Sequence, residues 1–166
     1  MDYKEAFEVL QESLEFKSWR KNNPKPYLAH FFTELDAHLR NLNWEIGYYD
    51  AEKDLITTFA INEQIQLQPE AQVFKERHSV KELKMEEIKT DTLQILENVK
   101  RFQMKNYPAQ TPLKGFLIIQ NIDFGAVWNV TLVTQAFAAL NIKLRAQSGE
   151  IVHHNLSTFF DFRLKE

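Results

Sequence analysis

Hydrophobic positions along this chain change period twice, and in the same order each time. Tyr3, Phe7, Leu10 and Leu14 recur at helical spacing, and Asp2 followed by Glu5 has the spacing of a capping box. A first helix is therefore expected to begin at Tyr3 and to end at Asn22-Asn23-Pro24-Lys25-Pro26, where the prolines remove backbone donors. The cations Lys17, Arg20, Lys21 and Lys25 in its last turn complement the helix dipole and need no anion partner to explain them. Period-two segments follow. Trp44 to Tyr49 and Leu55 to Ile61 read as a hairpin around the polar loop Asp50-Ala51-Glu52-Lys53-Asp54. Tyr27 to Leu42 fits either period. Leu28, Phe31, Phe32, Leu35, Leu39 and Leu42 suit a helix, whereas a parallel with Phe116-Leu117-Ile118-Ile119 favours a strand from about Tyr27 to Leu35 and an irregular or helical connection after it.

After a polar stretch in which Ile65 and Leu67 extend the sheet and Pro69 interrupts it, the pattern repeats. Asp91 caps a second helix, with Gln94 at the capping-box position and Ile88, Thr92, Ile95, Val99 and Phe102 along one face. Four strands are then predicted: Gly115 to Ile122, Val127 to about Thr134, Asn141 to Ala146 and Ile151 to His154. Gly149 supplies the positive φ of the last turn, and Thr134 to Leu140 reads as a bulged strand or a short helical excursion. In both halves a Trp-x-aliphatic step, Trp44-Glu45-Ile46 and Trp128-Asn129-Val130, precedes an aliphatic return strand. This points to an internal duplication. The expected fold is α+β: two helices on one face of an antiparallel sheet made of two related helix-plus-meander halves, within a single domain 1–166. The halves are 1–68 and 88–155, joined by a connector 69–87 and followed by a tail 156–166.

Composition narrows the function classes. With 166 residues, 44% of them hydrophobic, 13 Phe and 3 Trp, the chain can bury a core without staples. Zero Cys removes disulfides, thiolate catalysis and thiolate metal sites, and with no basic n-region or apolar h-region at Met1-Asp2-Tyr3-Lys4-Glu5 it points to a cytoplasmic protein. A formal net charge of -3 offers no general field for phosphates, so nucleic acid is disfavoured, and no stretch is long and apolar enough to suggest a membrane span. Gly-x-Ser-x-Gly, Gly-x-x-x-x-Gly-Lys and Gly-x-Gly-x-x-Gly are all absent.

Trp128-Asn129-Val130, followed by Ile142-Lys143-Leu144-Arg145-Ala146-Gln147-Ser148-Gly149-Glu150-Ile151-Val152, resembles the terminal hairpin of PepSY-like domains, small cystatin-like modules in which one helix precedes the strands. The resemblance covers about Asp91 to Val152, with a weaker echo in the first half. Arg145 stands where that pattern commonly carries Asp, and Ser148 replaces Thr. The resemblance implies a cystatin-like fold and a non-enzymatic role in peptidase regulation or ligand binding. The chain is also similar to uncharacterised prokaryotic single-domain proteins.

Candidate chemistry is sparse. His30, Glu34 and His38 stand four apart and would share one face of a helix, which makes a metal-dependent hydrolase the enzymatic alternative; on a strand they form no compact site. His153 and His154 point to opposite faces of any strand. Asp123 beside Gly125 has turn chemistry, and Asp161 can pair with Arg163 or Lys165. Partner binding has better support: Tyr48 and Tyr49 place one ring on each sheet face, and Leu156, Phe159, Phe160 and Phe162 cluster near the end of the sequence. Either this tail closes the domain's own core or it pairs two copies, since Ile151-Val152-His153-His154 carries no Lys, Pro or carboxylate to deter strand addition. The expected function is a non-catalytic binding or regulatory module without a cofactor, acting on an unknown protein or small ligand.

Overall fold

The computed structural model describes residues 1–72, 80–123 and 125–158, and in them the chain builds one antiparallel sheet with three α-helices. The helices are α1 (Tyr3–Glu12), α2 (Leu14–Asn22) and α3 (Thr92–Asn106). The strands are β1 (Tyr27–Leu35), β2 (Asn41–Asp50), β3 (Leu55–Ile61), β4 (Ile65–Leu67), β5 (Ala71–Gln72), β6 (Pro112–Ile122), β7 (Gly125–Thr134), β8 (Ala138–Arg145) and β9 (Ile151–Thr158). They lie in the order β4-β3-β2-β1-β6-β7-β8-β9, with β5 pairing the start of β3. Two four-strand meanders thus stand side by side, joined where β1 pairs β6 from His30↔Gln120 to Leu35↔Gly115.

The first helical segment differs from the single helix expected from its periodicity. Ser13 adopts extended geometry, φ -68 and ψ 150, and its hydroxyl donates to the Leu10 carbonyl while accepting the Phe16 N–H. A serine side chain that satisfies both helix ends makes a break as favourable as continuation. Arg20 then closes α2 by donating to the carbonyls of Asn23 and Pro26, which accounts for one cation of that cluster.

The Tyr27 segment is a strand. It sits at the middle of the sheet with β2 and β6 on either side, so it has no solvent edge, and a register shift between Leu28 and His30 leaves both Leu28 and Ala29 buried. The shift interrupts the alternation at Leu28-Ala29, and from His30 to Leu35 it is regular. Two further boundaries move. Gln135 to Phe137 is a tight turn, not a helical excursion: Phe137 has φ 55 and its N–H bonds to the Thr134 carbonyl, so β8 starts at Ala138. At the other end β9 runs to Thr158, which moves Leu156 out of the expected tail into a strand, opposite Leu140.

One face of the sheet carries the helices. Trp44 and Trp128, each the fourth residue of a ten-residue strand, are both fully buried there. Tyr3 of α1 packs edge-on against both, at ring-centroid distances of 6.4 and 5.4 Å, and against Phe31 at 5.5 Å. The polar atoms of this cluster are all engaged. Trp44 Nε1 donates to the Met1 carbonyl, Trp128 Nε1 to Thr90 Oγ1, and Tyr3 Oη to the Thr90 carbonyl, while Thr90 Oγ1 donates to the Ala146 carbonyl. Burying indole and phenol groups is favourable only when their N–H and O–H find partners in this way.

Truncation of either tryptophan to alanine is expected to cost about 3–5 kcal/mol, and Tyr3→Phe, which removes only the hydroxyl, about 1 kcal/mol. Chemical denaturation followed by far-UV circular dichroism measures both; a loss below about 1 kcal/mol for Trp44→Ala or Trp128→Ala would contradict this account of the core.

Candidate functional site

The residues singled out from sequence are dispersed by the fold. His30 and Glu34 lie on β1 and His38 in the turn beyond it; four residues of strand span roughly 13 Å, so the three do not converge. Among the described residues no group of three or more His, Asp or Glu is placed to hold a metal ion. Tyr48 and Tyr49 do point to opposite faces, but both are buried. Tyr48 packs on Phe16, Trp19 and Phe59 and accepts a hydrogen bond from Gln11 Nε2, and burial pushes its phenol up to about 12. Tyr49 donates to Asp54 Oδ1 at 2.6 Å and packs edge-on to Tyr27. Both rings are core. Asp123 forms an ion pair with Lys81 at 3.2 Å. Phe159, Phe160, Asp161 and Phe162 lie outside the described residues.

His153 and His154 separate as strand geometry requires. His153 is opposite Lys143, whereas the His154 ring packs on Phe102 and its Nδ1 lies 2.6 Å from Tyr107 Oη. His30 is held tightly between strands. It lies over Gly47 of the neighbouring strand so closely that a Cβ on Gly47 would fall 2.7 Å from its Nδ1 and nearer still to Cε1. Desolvation there lowers its pKa from 6.5 to about 4.

A concave feature that gathers several elements lies between α3 and the β1–β2 turn, a groove of about 380 Å³. Asp36 builds the turn. Its Oδ1 accepts the His38 and Arg40 N–H groups and its Oδ2 the Arg40 Nε, bonds that hold its carboxyl below the usual range. Leu39 takes a left-handed conformation, φ 58, which turns its side chain into the core and leaves His38 and Arg40 on the rim. The facing wall is the first three turns of α3: Leu96 nearly buried at the base, Leu93 69% exposed above it, and Glu97 and Lys100 at the mouth. The end wall is Met1 and Asp2.

Asp2 ties this corner together. Its Oδ1 caps α1 through the Lys4 N–H, and its Oδ2 accepts both the N–H and the hydroxyl of Thr92, the first residue of α3, at 3.0 and 2.6 Å. One carboxylate therefore serves the N-termini of two helices. Of the residues of this groove, sequence reasoning singled out His38 as a site residue, and for a metal role that the fold does not assemble. A signal existed: Leu93 falls off the Ile95-Val99-Phe102 stripe of α3, and an apolar side chain beyond the buried stripe marks a second contact surface.

Two measurements probe the His30–Gly47 contact. Gly47→Ala is expected to destabilise by about 1–3 kcal/mol, and by much less in a His30→Ala background, where the ring that meets the new Cβ is gone. Because the folded state binds its proton at about pH 4 and the unfolded chain at 6.5, His30 makes stability fall as pH drops through that window. The change amounts to on the order of 3 kcal/mol, and denaturation midpoints of His30→Gln should lack that component. Equal pH profiles for the two proteins would refute the assignment.

No family model and no curated protein matches the chain. Among solved structures it is similar to a crystal structure of a "putative lipoprotein" from Clostridium difficile 630, with a TM-score of 0.60 and 10% identity over 95% of this chain and 93% of that one. At that identity the likeness is one of fold. Among the described residues no helix is long and apolar enough to cross a membrane.

Proposed function

We propose that the protein is a non-catalytic binding module, a duplicated cystatin-like fold of PepSY-like type, which takes an amphipathic ligand with an apolar body and an acidic head in the groove between α3 and the β1–β2 turn. The observation that carries this reading is the groove itself. Its volume of about 380 Å³ is within the range of small-molecule sites. Its walls offer Leu39, Leu93, Leu96 and Met1 to an apolar body. At its mouth stand Arg40 and Lys100, and Lys100 has no ion-pair partner among the described residues. Asp36 is paired with Arg40 and the Asp2 carboxylate is engaged by the two helix starts, which leaves Lys100 against Glu97 at the mouth. Lys100 is the contact for an acidic head.

The non-catalytic part of the proposal rests on electrostatics. Among the described residues the strongly shifted groups, His30, Tyr3 and Tyr48, owe their shifts first to burial, and none of them lines the groove. Shifts of that origin are a property of a packed core rather than of a reacting centre. The duplication is supported by the common order of the two halves, in which helical structure (α1 and α2, or α3) precedes a four-strand antiparallel meander, and by the equal placement of Trp44 and Trp128 within their strands. The PepSY-like reading draws on α3 preceding the β6–β9 meander.

The anionic fluorophore 1-anilinonaphthalene-8-sulfonate, displaced by decanoate, tests the groove. Saturable binding is expected in the intact chain. Leu93→Asp, which changes a side chain already in solvent, should weaken it at least tenfold. Lys100→Gln should weaken it about tenfold, as loss of one charge contact worth roughly 1.4 kcal/mol would. Thermal melts should be unchanged in both. Undiminished binding by Leu93→Asp would place the ligand elsewhere.

A further inference from the structure

The two edges of the sheet are built differently. At one edge β4 and β5 are three and two residues long and Pro69 interrupts the run between them, so little continuous backbone is offered for pairing. At the other edge β9 runs for eight residues, Ile151 to Thr158, without a Lys, Arg, Asp, Glu or Pro. Among the described residues it pairs with β8 alone. His153, His154 and Asn155 at its middle are exposed. The irregularity that would spoil a long ladder is confined to its start, where the register shifts between the Leu144↔Ile151 and Lys143↔His153 pairs.

We infer that β9 is a self-association edge whose partner is β9 of a second copy, paired antiparallel about Asn155. A two-fold axis normal to the sheet keeps the faces of both copies aligned, which requires residues of like parity to meet. Centred on Asn155, that register sets Asn155 against Asn155, His153 against Ser157 and His154 against Leu156. The bulge at Val152 stays at the margin, no like charges are opposed, and each asparagine amide can both donate to and accept from its twin. On the helix side of the sheet the same register brings in the half-buried rings of Phe102 and Tyr107, which already pack on His154. This extends the contact beyond the backbone ladder. The groove at α3 and the β1–β2 turn takes no part, so the inference is independent of the ligand proposed for it.

One strand pair with a small aromatic flank is smaller than the roughly 1,200–2,000 Å² of a standard stable interface, so the dimer is a weak one and its signature is dependence on concentration. Sedimentation velocity of the full chain between low and high micromolar concentration should show the average sedimentation coefficient rising from monomer towards dimer. Asn155→Lys and Asn155→Glu, each placing like charges on the axis, should abolish the rise with melting temperatures unchanged, and an equimolar mixture of the two should restore it. A chain monomeric at every concentration would overturn the inference, as it would if the residues after Thr158 occupied the edge instead. Association undiminished in both variants, or no recovery on mixing them, would equally exclude pairing about Asn155.

Discussion

The contact on which the rest of the molecule depends is Tyr3 wedged between Trp44 and Trp128. Each tryptophan belongs to a different meander, and the single phenol ring is shared by both. Large aromatic surfaces in edge-to-face contact contribute beyond their buried area, and here they do so at the seam of the sheet. The hydrogen bonds around the cluster extend the link. Met1 is held by Trp44, and Thr90, just before α3, is held by Trp128 and Tyr3. Asp2 completes it by capping α1 and receiving Thr92. Residues 1–3 thereby determine where α1 lies, where α3 begins and how the two halves are covered.

The groove is a by-product of that arrangement. Once Asp2 draws the start of α3 towards α1, the next turns of α3 stand across from the turn that follows β1, and the space between them is lined by whatever those two elements present. Leu39 in its left-handed conformation closes the base, while Leu93 and Lys100 remain outside the packed stripe. A stable core beneath and unspent apolar surface above is the combination that binding sites commonly show. The tight passage of His30 over Gly47 belongs to the opposite face of the sheet, where strand proximity rather than helix packing sets the constraint.

Much of this architecture was legible along the chain. The capping box at Asp2, the N-cap at Asp91, the Leu55 to Ile61 strand, the burial of both tryptophans and the positive φ of Gly149 follow from local chemistry: side chains that cap, alternate or lack a Cβ act within a few residues of themselves. Tyr27 to Leu35 was harder to read, because its apolar residues also fit helical spacing and the irregularity between Leu28 and His30 interrupts its alternation. The break at Ser13 was missed for a different reason, since the apolar period runs through it unbroken.

The candidate site shows the limit most clearly. Residue types and spacing pointed to His30, Glu34 and His38, and to Tyr48 and Tyr49, because each set looks chemically capable when viewed on its own segment. Extended β1 geometry separates the first set, and packing under α2 and beside Tyr27 consumes the second. What the amino-acid sequence determined by itself was the elements and which of their faces are apolar, since both follow from periodicity and capping. Only the tertiary structure decided which meander strands meet at β1 and β6, that Asp2 reaches Thr92, and that Leu39, Leu93 and Lys100 share a groove, because those juxtapositions arise between segments more than fifty residues apart and leave no local trace.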